Sequence, residues 1–137
     1  MRPLFRYRLI NAFVLALMVA LGLGSKTYQG WGAVWVRDYG GDIIYEIFWI
    51  WLIGFFWPKQ RVTGVAIAVF VITSFIECSQ LIPFPASWKA NVLWRLLLGT
   101  HFAWWDFPHY ALGSLLGGVS LSVLLAQFGL GSRQLIK

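Results

Sequence analysis

The chain has 137 residues, of which 59% are hydrophobic and only 12% are charged, and its mean hydropathy is +0.70. Since about a quarter of the residues in a soluble domain are charged, this composition excludes an ordinary soluble protein and predicts a single all-α membrane domain over residues 1–137. The net charge of +6 comes from basic residues scattered between apolar runs. We therefore expect no nucleic-acid partner and interpret these residues as topology signals.

Apolar runs predict four transmembrane helices, at about residues 9–24, 42–57, 62–83 and 107–129. The first is short for a bilayer that needs about 20 residues, but the arginines before it can extend to the interface. Pro58 ends the second helix, and the basic turn through Arg61 makes helices two and three an antiparallel hairpin. Asp42 and Asp106 are predicted N-caps, because a carboxylate accepts from free backbone N–H groups.

The segment 87–105 lies between helices three and four and is too short and too polar to span. Its apolar residues can share one helix face, while its polar residues fall elsewhere, so we expect a short interfacial helix. The apolar set is Trp88, Val92, Leu93, Leu96 and Leu97; the polar set is Lys89, Asn91 and Arg95.

Small residues recur at every fourth position in helices one and four, as in helices that pack closely. The predicted packing residues are Ala12, Ala16 and Ala20 in helix one, and Gly113 and Gly117 in helix four.

Orientation is predicted from the distribution of lysine and arginine. The N-terminus, the turn at residues 59–61 and the C-terminal tail carry seven basic residues, whereas the two opposite loops carry four. The positive-inside rule then predicts that both termini are cytoplasmic. We expect the membrane to be the bacterial cytoplasmic (inner) membrane.

Glu77 is the most unusual residue, because a carboxylate at the centre of a membrane helix costs roughly 2.5–3.5 kcal/mol on insertion scales. It lies about 22 Å along helix three at 1.5 Å per residue. The ends of helices two and four place further polar groups at the same outer level. The predicted polar cluster or ligand-binding set is Asp42, Glu46, Glu77, Gln80, Arg95, Asp106 and His109.

Three interpretations of this cluster remain open. Glu77 and Arg95 can form a structural ion pair that fastens the interfacial segment to the bundle. Alternatively, Arg95 can bind the phosphate or carboxylate of an amphiphile, with Trp94, Trp104 and Trp105 beside its apolar part. In the third interpretation, Glu77, Asp106 and His109 bind a divalent metal or perform acid–base chemistry.

Known catalytic signatures give the third interpretation little support. The sequence has no HExxH-like pattern, no cysteine pair, no nucleophile elbow and no glycine-rich phosphate loop. We therefore predict no catalytic residue, no bound metal and no cofactor.

Several of these residues belong to a longer pattern along the chain: Gly41-Asp42, Tyr45, Pro58, Phe75-Ile76-Glu77-Cys78-Ser79-Gln80, Arg95, Gly99, Phe102, Trp104-Trp105-Asp106, Tyr110, Gly113 and Gly117. This pattern resembles an uncharacterised family of small bacterial four-helix membrane proteins related to the VanZ family. The resemblance implies that Glu77, Gln80, Arg95 and Asp106 are motif positions. VanZ-like proteins are associated with low-level teicoplanin resistance; they usually have Asn four residues after the Asp, where this chain has Tyr110.

The sequence thus favours a non-enzymatic membrane protein whose outward-facing polar pocket binds a lipid headgroup or another envelope amphiphile. A second hypothesis is a small accessory subunit that packs into a larger membrane complex or a homo-oligomer, because the small-residue stripes on helices one and four suit such contacts. An enzyme acting on envelope lipids is the third.

Overall fold

A computed structural model describes residues 3–82, 90–98 and 102–131, and every regular element in these ranges is helical. The helices are α1 Pro3–Ser25, α2 Ala33–Phe56, α3 Val62–Ser79, α4 Val92–Leu98 and α5 Asp106–Gln127. All except α4 are long and apolar enough to cross a membrane. The predicted all-helical fold with four candidate spans is confirmed.

Helix α2 lies at the centre and packs against α1, α3 and α5. The buried apolar core is small and takes residues from all four long helices: Tyr7, Ile50, Trp51, Val69, Leu121 and Leu125. Many large apolar side chains instead point outward, such as Phe13 and Phe75, which are 71% and 76% exposed. An apolar exterior suits a bundle surrounded by lipid, whose tails are as apolar as leucine.

Two glycines of α5 allow its backbone to approach α2 closely. A Cβ added at Gly113 would lie 2.7 Å from the Glu46 Cβ and 2.8 Å from the Ile43 carbonyl oxygen. A Cβ at Gly117 would lie 3.1 Å from the Ile47 Cα. Both glycines therefore lie where α5 approaches α2 closely, and at Gly113 even a Cβ would clash with the α2 backbone.

Helix α1 is joined to α2 by buried polar contacts. The Tyr7 hydroxyl donates to the Gly54 carbonyl at 2.7 Å, and Asn11 Nδ2 donates to the Tyr7 hydroxyl at 3.0 Å. Tyr7 and Asn11 are both 0% exposed. Interhelical hydrogen bonds of this kind stabilise helix association inside a membrane, where no water competes for them.

The alanine stripe of α1, a predicted helix-packing face, is not the face of α1 that contacts α2. Ala12, Ala16 and Ala20 are all exposed. The face of α1 that contacts α2 instead carries Tyr7 and Asn11, because their side chains reach acceptors on the neighbouring backbone. A spacing of four residues identifies a helix face but not whether that face points towards the rest of the chain.

The predicted start of the second helix was wrong by nine residues, since α2 begins at Ala33 and not at Asp42. Gly32, with a φ of 69°, precedes the first turn, and a π-helical turn covers Val36–Gly40. Gly40 and Gly41 keep ordinary helical dihedrals, although glycine disfavours a helix by about 1 kcal/mol. Asp42 is therefore inside the helix and is not its N-cap.

The other helix ends differ from the predictions by smaller amounts. Helix α1 starts at Pro3, so it is 23 residues long and includes Arg6 and Arg8. Helix α3 ends at Ser79, ahead of the predicted end at Pro83, and turn-type hydrogen bonds follow it from Gln80 to Ile82. Helix α5 begins at Asp106, with Trp105 at the cap position, and ends at Gln127.

Only part of the predicted interfacial segment 87–105 is described. Within it, α4 is a helix of seven residues, and the Asn91 side chain caps it by accepting from the Leu93 backbone N–H at 2.9 Å. The predicted helix end at Pro83, the segment 83–89 and residues 99–101 lie outside the described residues.

Candidate functional site: a buried acid cluster

Four carboxyl groups come together where α2, α3 and α5 meet. Asp42 interacts electrostatically with the other three acids, Glu46, Glu77 and Asp106. Glu46 and Glu77 are almost fully buried, at 0% and 2% exposure, whereas Asp42 and Asp106 are partly exposed. The acid cluster, defined as these four residues, therefore extends from the protein interior towards its surface.

Glu46 is the deepest member and is held by hydroxyl groups from both neighbouring helices. Thr73 of α3 donates its hydroxyl hydrogen to Oε1. Ser114 of α5 donates to Oε2 at 2.6 Å. Because Ser114 follows Gly113 directly, the close approach of α5 to α2 brings this hydroxyl within reach of the carboxyl. Both oxygens of Glu46 therefore have a protein donor.

Glu77 connects the end of α3 to the start of α5. Its Oε1 accepts from the Ala103 backbone N–H at 2.8 Å. Its Oε2 accepts from Gln80 Nε2 at 2.9 Å and from the Tyr110 hydroxyl at 3.1 Å. The carboxyl thus fixes the loop before α5 as well as the first turns of α5, and it is a structural anchor.

Asp42 differs from the two buried glutamates because one of its oxygens has no partner. Its Oδ2 is buried and accepts no hydrogen bond from the described residues. A buried polar atom without a partner costs about 1–3 kcal/mol. Asp42 and Asp106 both interact with the same cation, Lys26 at the end of α1. The amine of Lys26 donates to the Arg37 carbonyl at 2.9 Å, which holds it near the acids.

His109 lies in an aromatic setting at the edge of the acid cluster. Its ring stacks on Tyr39, with centroids 4.4 Å apart and planes 8° apart. Trp35 Nε1 donates to His109 Nε2 at 3.2 Å, and His109 Nδ1 lies 2.6 Å from the Trp105 carbonyl oxygen. Since a carbonyl can only accept, Nδ1 carries the proton. His109 therefore ties the first turns of α2 to α5, and it also interacts electrostatically with Asp106.

Arg95 is the predicted site residue that the structure does not bring to the acids. It is exposed on α4, and no ion pair with Glu77 occurs among residues 3–82, 90–98 and 102–131. The donors that satisfy Glu77 are an amide, a backbone N–H and a phenol. Among the described residues Glu77 is therefore held by neutral donors, without the ion pair to Arg95 that one of the three interpretations expected. Neutral donors replace the cation because they reach the carboxyl without bringing a second charge into the core.

Sequence reasoning found the acids but missed most of their partners. The missed residues are Ser114, the Tyr110 hydroxyl as a donor, Lys26 and the Trp35–Tyr39 pair around His109. A signal existed for Ser114, which follows Gly113 and shares a helix face with Tyr110 at a spacing of four. The described part of the chain holds no group of three or more His, Cys, Asp and Glu side chains arranged to ligate a metal.

The fold and the site define a class: a multi-pass helical membrane protein with buried, hydrogen-bonded carboxyls where three helices meet. The family profile described as "Protein of unknown function (DUF2809)" matches residues 31–114. Because this is more than half of the chain, the protein belongs to the DUF2809 family. The matched range contains the whole acid cluster and leaves α1 outside. No curated protein and no solved structure matches the chain.

Proposed function

We propose that this is a non-enzymatic membrane protein whose acid cluster binds the headgroup of a lipid or similar envelope amphiphile. One observation carries the proposal: the buried Oδ2 of Asp42 has no donor among the described residues. A headgroup that supplies an N–H or O–H would remove that deficit. Asp42 and Asp106 are partly exposed, so the outer part of the cluster reaches the protein surface.

The charge of the cluster favours an ammonium headgroup. Four carboxyls lie together, and Lys26 is the lysine or arginine that interacts with Asp42 and Asp106. An ionised phosphate or carboxylate placed among them would bring only further acceptors to a cluster of acids, whereas a primary ammonium group brings a positive charge and three donors. Because Arg95 is exposed and no ion pair joins it to Glu77 among the described residues, the proposal places a cationic group at Asp42 instead of the expected anionic group at Arg95. The apolar part of the ligand would then lie in the surrounding membrane.

The test uses the purified protein in phosphatidylcholine nanodiscs. Adding a phospholipid with a primary-amine headgroup should raise the melting temperature, while the same lipid with an acetylated amine should not. A ligand present at 100 times its dissociation constant stabilises by about 2.7 kcal/mol. Asp42→Asn should lose this gain, because an amide is uncharged. Asp38→Asn, on the exposed part of α2, is the matched control and should retain it. Equal stabilisation by both lipids would refute the ammonium site.

The orientation is proposed from the charge asymmetry alone: both termini are cytoplasmic in a bacterial inner membrane, so the acid cluster faces outward. In a Cys78→Ala background, single cysteines at Gln29 and Gln60 report opposite sides, and both positions are exposed. A membrane-impermeant thiol reagent applied to whole cells should label the cysteine at 29 and not the one at 60. Labelling of the cysteine at position 60 alone would show that the orientation is the opposite of the one proposed.

A second candidate function is an accessory subunit of a larger membrane complex or a homo-oligomer. The observation in its favour is that Ala12, Ala16 and Ala20 form an exposed small-residue face on α1, which suits close contact with another helix. Cross-linking from a cysteine at Ala16 in native membranes would identify such a partner. The relation to VanZ-like proteins belongs with these proposals and supports an envelope role without choosing between them.

A further inference from the structure

A basic turn lies at the opposite end of α2 from the acid cluster. A widely open cavity of about 540 Å³ lies against the hairpin between α2 and α3. Its described lining includes Lys59 and Arg61 at the turn and no acidic residue. Ile53 of α2 and Val65 of α3 form apolar walls and pack against the core. The cavity therefore has a basic rim above an apolar groove.

The apolar part of this groove is lined by helix backbone as well as by side chains. Gly64 lies in the lining, and a Cβ built on it would meet no atom within 4 Å. The helix surface at Gly64 is thus open to an extended chain running along α3. Trp57 lies beside the rim and is 58% exposed, a position that suits a tryptophan at the headgroup level of a membrane.

We infer that this cavity binds an anionic phospholipid, with the phosphate at Lys59 and Arg61 and one acyl chain along Gly64 and Val65. Charge complementarity selects this occupant, because basic pockets between transmembrane helices bind acidic headgroups. The apolar groove selects a lipid over a free phosphate, since a free phosphate would leave the groove walls without a partner. This inference is independent of the acid cluster, which lies near the other end of α2 and favours the opposite charge.

The experiment uses the full chain in nanodiscs that contain equal amounts of phosphatidylglycerol and phosphatidylcholine with matched acyl chains. When the protein is released from the nanodiscs in the mass spectrometer, it should retain phosphatidylglycerol in preference to phosphatidylcholine. The attraction of two cations to an anionic lipid corresponds to a preference of roughly thirtyfold. Lys59→Gln combined with Arg61→Gln should abolish the preference, while Lys59→Arg, which keeps the charge, should retain most of it.

Gly64→Leu tests the groove separately from the rim. Because a Cβ at Gly64 meets no atom within 4 Å, we expect the variant to keep its melting temperature and to lose most of the retained phosphatidylglycerol. Gly24→Leu is the matched control, because a Cβ at Gly24 also meets nothing within 4 Å; this variant should bind like the wild type. Inorganic phosphate at millimolar concentration should not displace the lipid. Displacement by phosphate, or unchanged retention in Gly64→Leu, would overturn the assignment.

Discussion

Gly113→Leu should separate α2 from α5 and remove most of the folded protein from detergent extracts. Even the first side-chain carbon would lie 2.7 Å from the Glu46 Cβ and 2.8 Å from the Ile43 carbonyl oxygen, and backbone cannot move aside as a flexible side chain can. Overpacking a core typically costs about 1–3 kcal/mol, and a leucine wedged against backbone should lie at the upper end of that range. The melting temperature in detergent, with size-exclusion profiles, measures the effect.

A matched glycine shows whether the damage comes from this contact or from leucine itself. Gly24 is also helical, but a Cβ there would meet nothing within 4 Å, so Gly24→Leu should melt within a degree or two of the wild type. Gly113→Ala should fall between the two variants, because its single methyl already occupies the forbidden position. If Gly113→Leu melted like Gly24→Leu, the close contact of α5 with α2 would be wrong.

Glu77→Leu is expected to have the second large effect, because it removes the acceptor that joins α3 to the loop and start of α5. The Ala103 N–H and the Tyr110 hydroxyl would each lose their bond to this carboxyl. An unsatisfied buried donor costs about 1–3 kcal/mol, so the two together should cost roughly 2–6 kcal/mol. Glu77→Gln keeps one acceptor oxygen and should cost less. Unfolding midpoints in mixed micelles provide the comparison.

The pair with Tyr110 can be isolated by a double-mutant cycle. Tyr110→Phe removes the phenol that donates to Glu77, so adding it to Glu77→Leu should recover part of the lost stability instead of adding to the loss. Cys78→Leu, at the exposed neighbouring position, is the control for a leucine in this turn and should be nearly neutral. Strict additivity of the two site variants would show that Tyr110 and Glu77 are not directly coupled.

The parts of the fold that depend on local chemistry were predictable. The helix that starts at Val62 and the turn after Phe56 follow from Pro58 and the basic residues beside it, because proline cannot continue a helix. The start of α2 was not predictable in the same way. Gly40 and Gly41 normally disfavour a helix, and they remain helical here where distant groups pack on the same turns, including the His109 ring on Tyr39.

The grouping of the four acids could be expected from the sequence, but their hydrogen-bond partners could not. Periodicity and depth placed Asp42, Glu46, Glu77 and Asp106 at one level, because both measures depend only on position along a helix. The partner of Glu77 depends on which donors come within about 3 Å, and that distance is set by helix rotation and by the glycine contact of α5. Arg95 was the obvious cation in the sequence, yet Tyr110 and a backbone N–H occupy its expected place.

The central claim is that the acid cluster is a ligand site and not only structural glue, and native mass spectrometry beside thermal melting tests it most directly. Wild-type protein extracted gently from its own membrane should carry an amphiphile whose fragmentation releases a primary amine. The Asp42→Asn variant should not carry that amphiphile. Its melting temperature after complete delipidation should equal that of delipidated wild type. Asp42→Asn that retains the same mass, or wild type that carries no amine-bearing amphiphile, would contradict the claim.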